Sequence, residues 1–302
     1  MTMKSTRYLP LLLCLCVGCA LAGTPIQLRH DASPTTHVSI SNIAGTVTVL
    51  GWDRNEVQVA GELGDGAKPL TISGSNGNLA IKVEPQGGSG WFHWASDSRM
   101  GPTALEVHVP RAASLAISVI SASLVIDGVD GGSISLDTVS GKARIQARTP
   151  SLKVDSVSGG IELSGHAEQA DLQTVSGDIL APALGSVAKL QTISGHVQAQ
   201  GGPWRTFSLS TVSGDAQLAG ALAVGGSLDV DSMSGDVQLQ LPAATSARLH
   251  ASSFSGDLRS DFGTPHQADH GPGSSLDARL GDGQGRINIE TFSGDLHIRR
   301  QH

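Results

Sequence analysis

Apolar and polar residues alternate along most of this chain, and the alternation slips at regular intervals. Over residues 228–241, Leu228 and Val230 share one parity and Asp229 and Asp231 the other. Beyond Ser234-Gly235, Val237, Leu239 and Leu241 share a face opposite Gln238 and Gln240. Period two predicts a half-buried strand on each side of the Ser-Gly. Val230 and Val237 are an odd number of residues apart, so the parity slips once between Ser232 and Asp236. Such a slip turns every later side chain over. The core face therefore stays inward only if the chain bends there. Glycine admits positive φ and serine bonds nearby backbone, which suits a corner.

The same corner recurs at Ser140, Ser158, Ser176, Ser194, Ser213, Ser234, Ser255 and Ser293, with spacings of 18, 18, 18, 19, 21, 21 and 38 residues. Residues 172–179 read LQTVSGDI and residues 190–197 LQTISGHV. A unit this short cannot hold a strand, a helix and a second strand, so a period near 20 predicts one coil of a stacked array. The predicted fold is all-β: a single-stranded parallel β-solenoid, expected right-handed, with irregular N-terminal coils or a cap. From Ser121, a degenerate corner, to Phe262, about eight coils at about 4.8 Å each span roughly 35–40 Å. Stacking puts Val139, Val157, Val175, Ile193, Val212, Met233, Phe254 and Phe292 in one row. Its members enlarge as the coils lengthen, which predicts an apolar ladder filling a widening interior. Asp137, Asp155, Gln173, Gln191, Ser210, Asp231 and Ser252 form a polar row expected to face solvent.

The flanks are less regular. Residues 23–110 alternate in shorter runs and read as wider coils and a cap, since terminal repeats must close the stack. Residues 111–262 hold the regular coils. Residues 263–285, rich in Gly, Pro, Asp and His, read as an exposed excursion, and residues 286–302 as a final coil whose charged end blunts the edge. Residues 1–22 read as a secretory signal peptide: Lys4 and Arg7, an apolar run, then Ala20-Leu21-Ala22 before Gly23. Export to the periplasm or cell envelope follows. A variant places a lipid anchor on Cys19, since Cys16-Val17-Gly18-Cys19 resembles a lipobox. No later segment is apolar enough to span a bilayer.

Composition narrows the chemistry. All three cysteines, Cys14, Cys16 and Cys19, lie in the leader, so the remaining chain has no disulfide, zinc thiolate or cysteine nucleophile. The leader also takes two basic and no acidic residues, and the formal charge moves from −7 to −9. No basic stripe for nucleic acid is present.

The corners, for example Thr174-Val175-Ser176-Gly177-Asp178, resemble those of the bacterial "putative adhesin" β-solenoid family, a domain of unknown function. Residues 40–47 (ISNIAGTV), 51–57 (GWDRNEV) and Val107-His108-Val109-Pro110 resemble its opening segments. The resemblance covers nearly the whole chain after the leader. It implies an exported envelope β-solenoid and supplies no catalytic residues.

Three candidate sites remain. Asp178, Asp215, Asp236, Asp257 and Asp295 each follow a Ser-Gly, and Asp215, Asp236 and Asp257 are expected in neighbouring coils. Such a row either holds Ca²⁺ or serves the turns; the second is preferred, since Ca²⁺ takes six or more oxygens. Outside the leader the chain has nine aromatic residues, five Phe and four Trp, and Trp91, Phe92 and Trp94 are three of them. They are expected to plug one end of the core or to bind a partner. His266 and His270, with Asp269, have metal-like spacing, but the neighbouring Gly and Pro oppose the helix that would align them. No catalytic elbow, phosphate loop or zinc-protease motif occurs. The chain thus reads as a non-enzymatic binding or scaffold protein without cofactor or metal, its partner an envelope protein or polysaccharide. End-to-end assembly is one alternative and a polysaccharide-active enzyme another.

Overall fold

The computed structural model describes residues 23–86, 100–267 and 272–301. The described residues hold strands and no helix, and hence no helix long and apolar enough to cross a membrane.

The regular coils follow the parity argument. Ile179–Ser194, Val197–Ser213 and Ala216–Ser234 each run from one Ser-Gly corner to the next. They pair in parallel: Ile179 lies beside Val197 and Val197 beside Ala216, and the corner serines Ser194, Ser213 and Ser234 likewise stand in line. Backbone bonds continue through the corners, where Gly195 donates to the Ser213 carbonyl at 3.2 Å and Gly214 to that of Ser234 at 3.1 Å. Inward parity is kept on both limbs, with Leu172, Thr174, Ile179 and Ala181 all buried.

Longer coils are accommodated away from the corner. Between Val197–Ser213 and Ala216–Ser234 the register shifts on both sides of Trp204, at the bend opposite the Ser-Gly. There Trp204 turns fully inward and packs on Phe207 with ring centroids 4.4 Å apart. These two rings, and not the predicted apolar row, fill the wider interior.

Neither end of the stack is simply the last coil in sequence. Strand Gly285–Ser293 lies between Ala216–Ser234 and Ala247–Ser255, parallel to both. Leu296–Gln301 likewise lies between Val237–Pro242 and Leu258–Ser260. The C-terminal coil is therefore inserted one rung inside the end, and its basic terminus does not form the edge. Arg300 instead accepts its place in the stack, its backbone N–H donating to Asp261 at 2.9 Å. The outer rung is covered by Ser274–Leu280, an antiparallel strand within the Gly/Pro/His-rich stretch. The N-terminal end repeats the device. His37–Trp52 lies between Ser114–Asp130 on one side and Asn78–Lys82 and Thr103–Pro110 on the other. Glu56–Leu63 then adds antiparallel to Thr103–Pro110, and Thr24–Asp31 to Glu56–Leu63. Antiparallel closure stops the parallel stack from continuing into another molecule.

The corner glycines have a reason beyond φ. Gly195 sits at φ +154°, whereas Gly177 lies outside the left-handed region, so positive φ is not common to the row. At both, a Cβ would collide with the carbonyl of the glycine one coil below, Gly177 and Gly159 respectively. Close backbone approach is the shared constraint. Gly195→Val should therefore cost roughly 1–3 kcal/mol, on the scale of a strained backbone position, and Gly177→Val a comparable amount without help from φ. Chemical denaturation of both variants checks this; midpoints equal to that of the parent would contradict the stacking constraint.

Candidate binding face

Parity settles where the apolar row points. Leu228, Val230 and Ser232 face the core, so Met233 faces out with Asp231. The same holds at each corner. The buried row is Thr138, Ser156, Thr174, Thr192, Thr211, Ser232, Thr291 and Ser253. Its small hydroxyl side chains fit under the tight turn: Ser156 donates to the Gly159 carbonyl at 3.2 Å and Ser253 to that of Gly294 at 3.2 Å. The expected interior ladder is thus an exterior one. Val139, Val157, Val175, Ile193, Val212, Met233, Phe292 and Phe254 are between 44% and 59% exposed, and Ile120 continues the row at 51%. Sequence parity alone gives this answer; the apolar character of the row is what misleads. Phe292 precedes Phe254 along the stack because the C-terminal coil is inserted.

Nine rungs spaced about 4.8 Å apart make a stripe about 40 Å long. Few monomers expose so long a contiguous apolar strip without using it. The polar row beside it faces solvent as expected from the sequence. A groove of about 750 Å³ follows the C-terminal half of the stripe, lined by Val212, Met233, Phe254 and Phe292, by Asp231 and Glu290, and by His266 and Ser275 from the end cap. Phe254 and Phe292 stack with centroids 4.9 Å apart and planes 11° from parallel. A second groove, of about 490 Å³, holds Ile43, Ile120, Val139 and Val157 at the other end.

Carboxylates line one side of each groove, Asp231 and Glu290 in the first and Asp137 and Asp155 in the second. Asp231 and Glu290 are register neighbours. Desolvation, then Glu290 and Asp229, raise the Asp231 pKa above the ordinary carboxylate value. Beyond the serine and glycine of each corner a second carboxylate row runs Asp215, Asp236, Asp295, Asp257. Asp236 and Asp257 are therefore not neighbours, because Asp295 stands between them. Each carboxylate accepts the next coil's backbone N–H: Asp215 from Asp236 at 3.0 Å, Asp236 from Asp295 at 2.8 Å and Asp295 from Asp257 at 2.9 Å. Repulsion between solvated charges about 5 Å apart is about 1 kcal/mol, and a hydrogen bond to a charged group returns about 1.5–3 kcal/mol. The row is thus held by the stack itself. No cluster of three or more metal-ligating side chains occurs among the described residues. His266 is exposed on the groove wall, whereas Asp269 and His270 lie outside the described residues, as do Trp91, Phe92 and Trp94 and residues 1–22.

A family model described as Toastrack DUF4097 matches residues 35–299. The chain belongs to the Toastrack family. The family is a domain of unknown function, as the resemblance implied. Among solved structures, a putative adhesin from Bacteroides fragilis is similar at 10% identity and TM-score 0.44, over 92% of this chain and 97% of that one. A putative lipid binding protein from Parabacteroides distasonis is similar at 15% identity and TM-score 0.38, over 93% and 98%. No curated protein matches the sequence.

In this Toastrack chain the exterior placement of the ladder makes a direct prediction. Met233→Ser with Phe292→Ser should change stability by no more than about 0.5 kcal/mol per site, as for other surface substitutions. An interior ladder would lose several kcal/mol on the same change. Thermal and urea melts of the double variant decide between them.

Proposed function

We propose that this protein is an exported, non-catalytic binding scaffold of the bacterial cell envelope, and that it holds its partner along the exposed ladder. The observation that carries the reading is the unbroken outward row from Ile120 to Phe254. The coils beneath it are rigidly registered, so the rungs form a preorganised surface and little entropy is lost on contact. The leader and the absence of cysteine beyond it fit an exported domain. Both ends carry antiparallel strands, which counts against assembly by end-to-end stacking. Asp231 and Glu290 bring two carboxylates together as an acid–base enzyme would. Their row is continuous with the architectural polar row, however, and the corner carboxylates are occupied with backbone N–H groups. Binding is therefore the better use of the face.

Immobilised protein without the leader should capture a partner from envelope extract, and the Met233→Ser, Phe292→Ser variant should lose that capture while keeping its melting temperature. Equal capture by the parent and the variant would refute the ladder as the contact face.

A further inference from the structure

The strands that close the N-terminal end leave one long edge open. Thr24–Asp31 pairs with Glu56–Leu63 on one side and with no strand on the other among the described residues. The pairing stays in step from Thr24 opposite Leu63 to Asp31 opposite Glu56. One residue on, Ala32 donates its N–H to the Asn55 carbonyl at 2.9 Å. Antiparallel pairs alternate, so His30, Leu28 and Ile26 aim their backbone groups at Glu56–Leu63, and Asp31, Arg29, Gln27 and Pro25 aim theirs outward. The next outward donor, Ser33, gives its N–H to the Asn76 carbonyl at 2.8 Å. Those of Asp31, Arg29 and Gln27 have no acceptor among the described residues. The other strands paired on one side are shorter: Ile72–Ser75, Leu258–Ser260 and His266–Gln267. Thr24–Asp31 also stands proud of the end. Its limb carries Thr103–Pro110, Glu56–Leu63 and then Thr24–Asp31 beyond His37–Trp52. The other limb carries Asn78–Lys82 and then Ile72–Ser75.

We propose that Thr24–Asp31 pairs antiparallel with the same strand of a second copy, across a two-fold axis at Leu28, and that the protein is a dimer in solution. The register follows from the edge itself. With Leu28 opposite Leu28 of the second copy, Gln27 faces Arg29, and each donates to the other's carbonyl. Asp31 faces Pro25 and donates to its carbonyl. Proline has no N–H to return. None is needed, because the Asp31 carbonyl already accepts from His30 Nδ1 at 2.7 Å. No outward N–H from Gln27 to Asp31 is left unpaired. Leu28, half-buried against the core, meets its own copy and is covered. A two-fold centred on Arg29 would set two guanidinium groups directly opposite. One centred on Gln27 would set Pro25 against Arg29, and the Arg29 carbonyl would meet no donor. Glu56–Leu63 already holds the strand extended, so pairing orders little new chain. The contact closes at two, since a two-fold uses up the edge on both copies. It therefore builds no filament, and it involves no rung of the ladder.

Sedimentation equilibrium over a dilution series reads the association of the chain beginning at Gly23. The parent should dimerise. Arg29→Pro removes an outward N–H that the strand's own pairing does not use, as an edge proline does. It should weaken the dimer at least about tenfold, one decade being 1.4 kcal/mol. It should also keep the parent's urea midpoint at dilutions where both are monomeric. Single cysteines read the register, since no cysteine follows residue 22. Residues directly opposite at a non-hydrogen-bonded position have Cα atoms about 4.5 Å apart, within disulfide reach. Diagonal ones lie about 7–8 Å apart, beyond it. Leu28→Cys should cross-link on mild oxidation, and Gln27→Cys and Arg29→Cys should not. A parent that stays monomeric, a dimer indifferent to Arg29→Pro, or cross-linking through position 27 or 29 in place of 28 would overturn the proposal. So would a dimer abolished by Met233→Ser with Phe292→Ser, which would assign self-association to the ladder. A monomeric parent whose capture from envelope extract is lost with Arg29→Pro would give the edge to a strand of another protein and overturn the second copy.

Discussion

Everything in this molecule answers to the contact between one coil's corner and the corner beneath it. The backbones meet there with no room for a side chain: a Cβ on Gly195 would strike the Gly177 carbonyl, and one on Gly214 that of Gly195. Glycine at the corner lets the coils come within hydrogen-bonding distance, and the N–H of Gly177, Gly195, Gly214, Gly235 and Gly294 is satisfied by the serine carbonyl of the neighbouring coil. Fixed register then dictates the rest. Side chains at one position must tolerate copies of themselves about 4.8 Å away, so the rows become aliphatic inside and small hydroxyl under the turn. The corner aspartates follow the same logic, each carboxylate tied to the next coil's N–H.

That constraint also creates the surface on which function is proposed. The turn consumes one unit of parity, so the residue before each Ser-Gly is held outward whether polar or not. A scaffold indifferent to that position would carry mixed polar residues there. This one carries Ile120, six further aliphatic or thioether side chains and two phenylalanines in a line. The largest and most polarisable members, Met233, Phe292 and Phe254, sit together in the groove to which the end cap adds a wall.

Much of this was legible in the sequence, and what was not had physical causes. The period of the Ser-Gly pairs gave coils, register and the polar outward row, because stacking repeats its requirements in the letters. Apolar character points the ladder inward, whereas parity groups Met233 with the outward Asp231. The inserted C-terminal coil left no mark, since Phe292-Ser293-Gly294-Asp295 matches Met233-Ser234-Gly235-Asp236 and Phe254-Ser255-Gly256-Asp257 equally well as a neighbour. Rungs that fit any position in the stack do not encode their order. The cap strand Ser274–Leu280 was hidden by the Gly and Pro around it, and Trp204 is a single inward residue at a bend where the repeat is irregular.

The order of the rungs is also the most direct test of in-register stacking with an inserted C-terminal coil. With residues 1–22 removed the chain has no cysteine, so introduced pairs report on themselves alone. Ser293 is the register partner of both Ser234 and Ser255. Adjacent rungs lie about 4.8 Å apart, inside the Cα range of about 4.4–6.8 Å for a disulfide, while rungs two apart lie beyond it. Ser234→Cys with Ser293→Cys should cross-link on mild oxidation, and Ser234→Cys with Ser255→Cys should not. The reverse pattern would mean that the coils stack in sequence order, and would contradict the account.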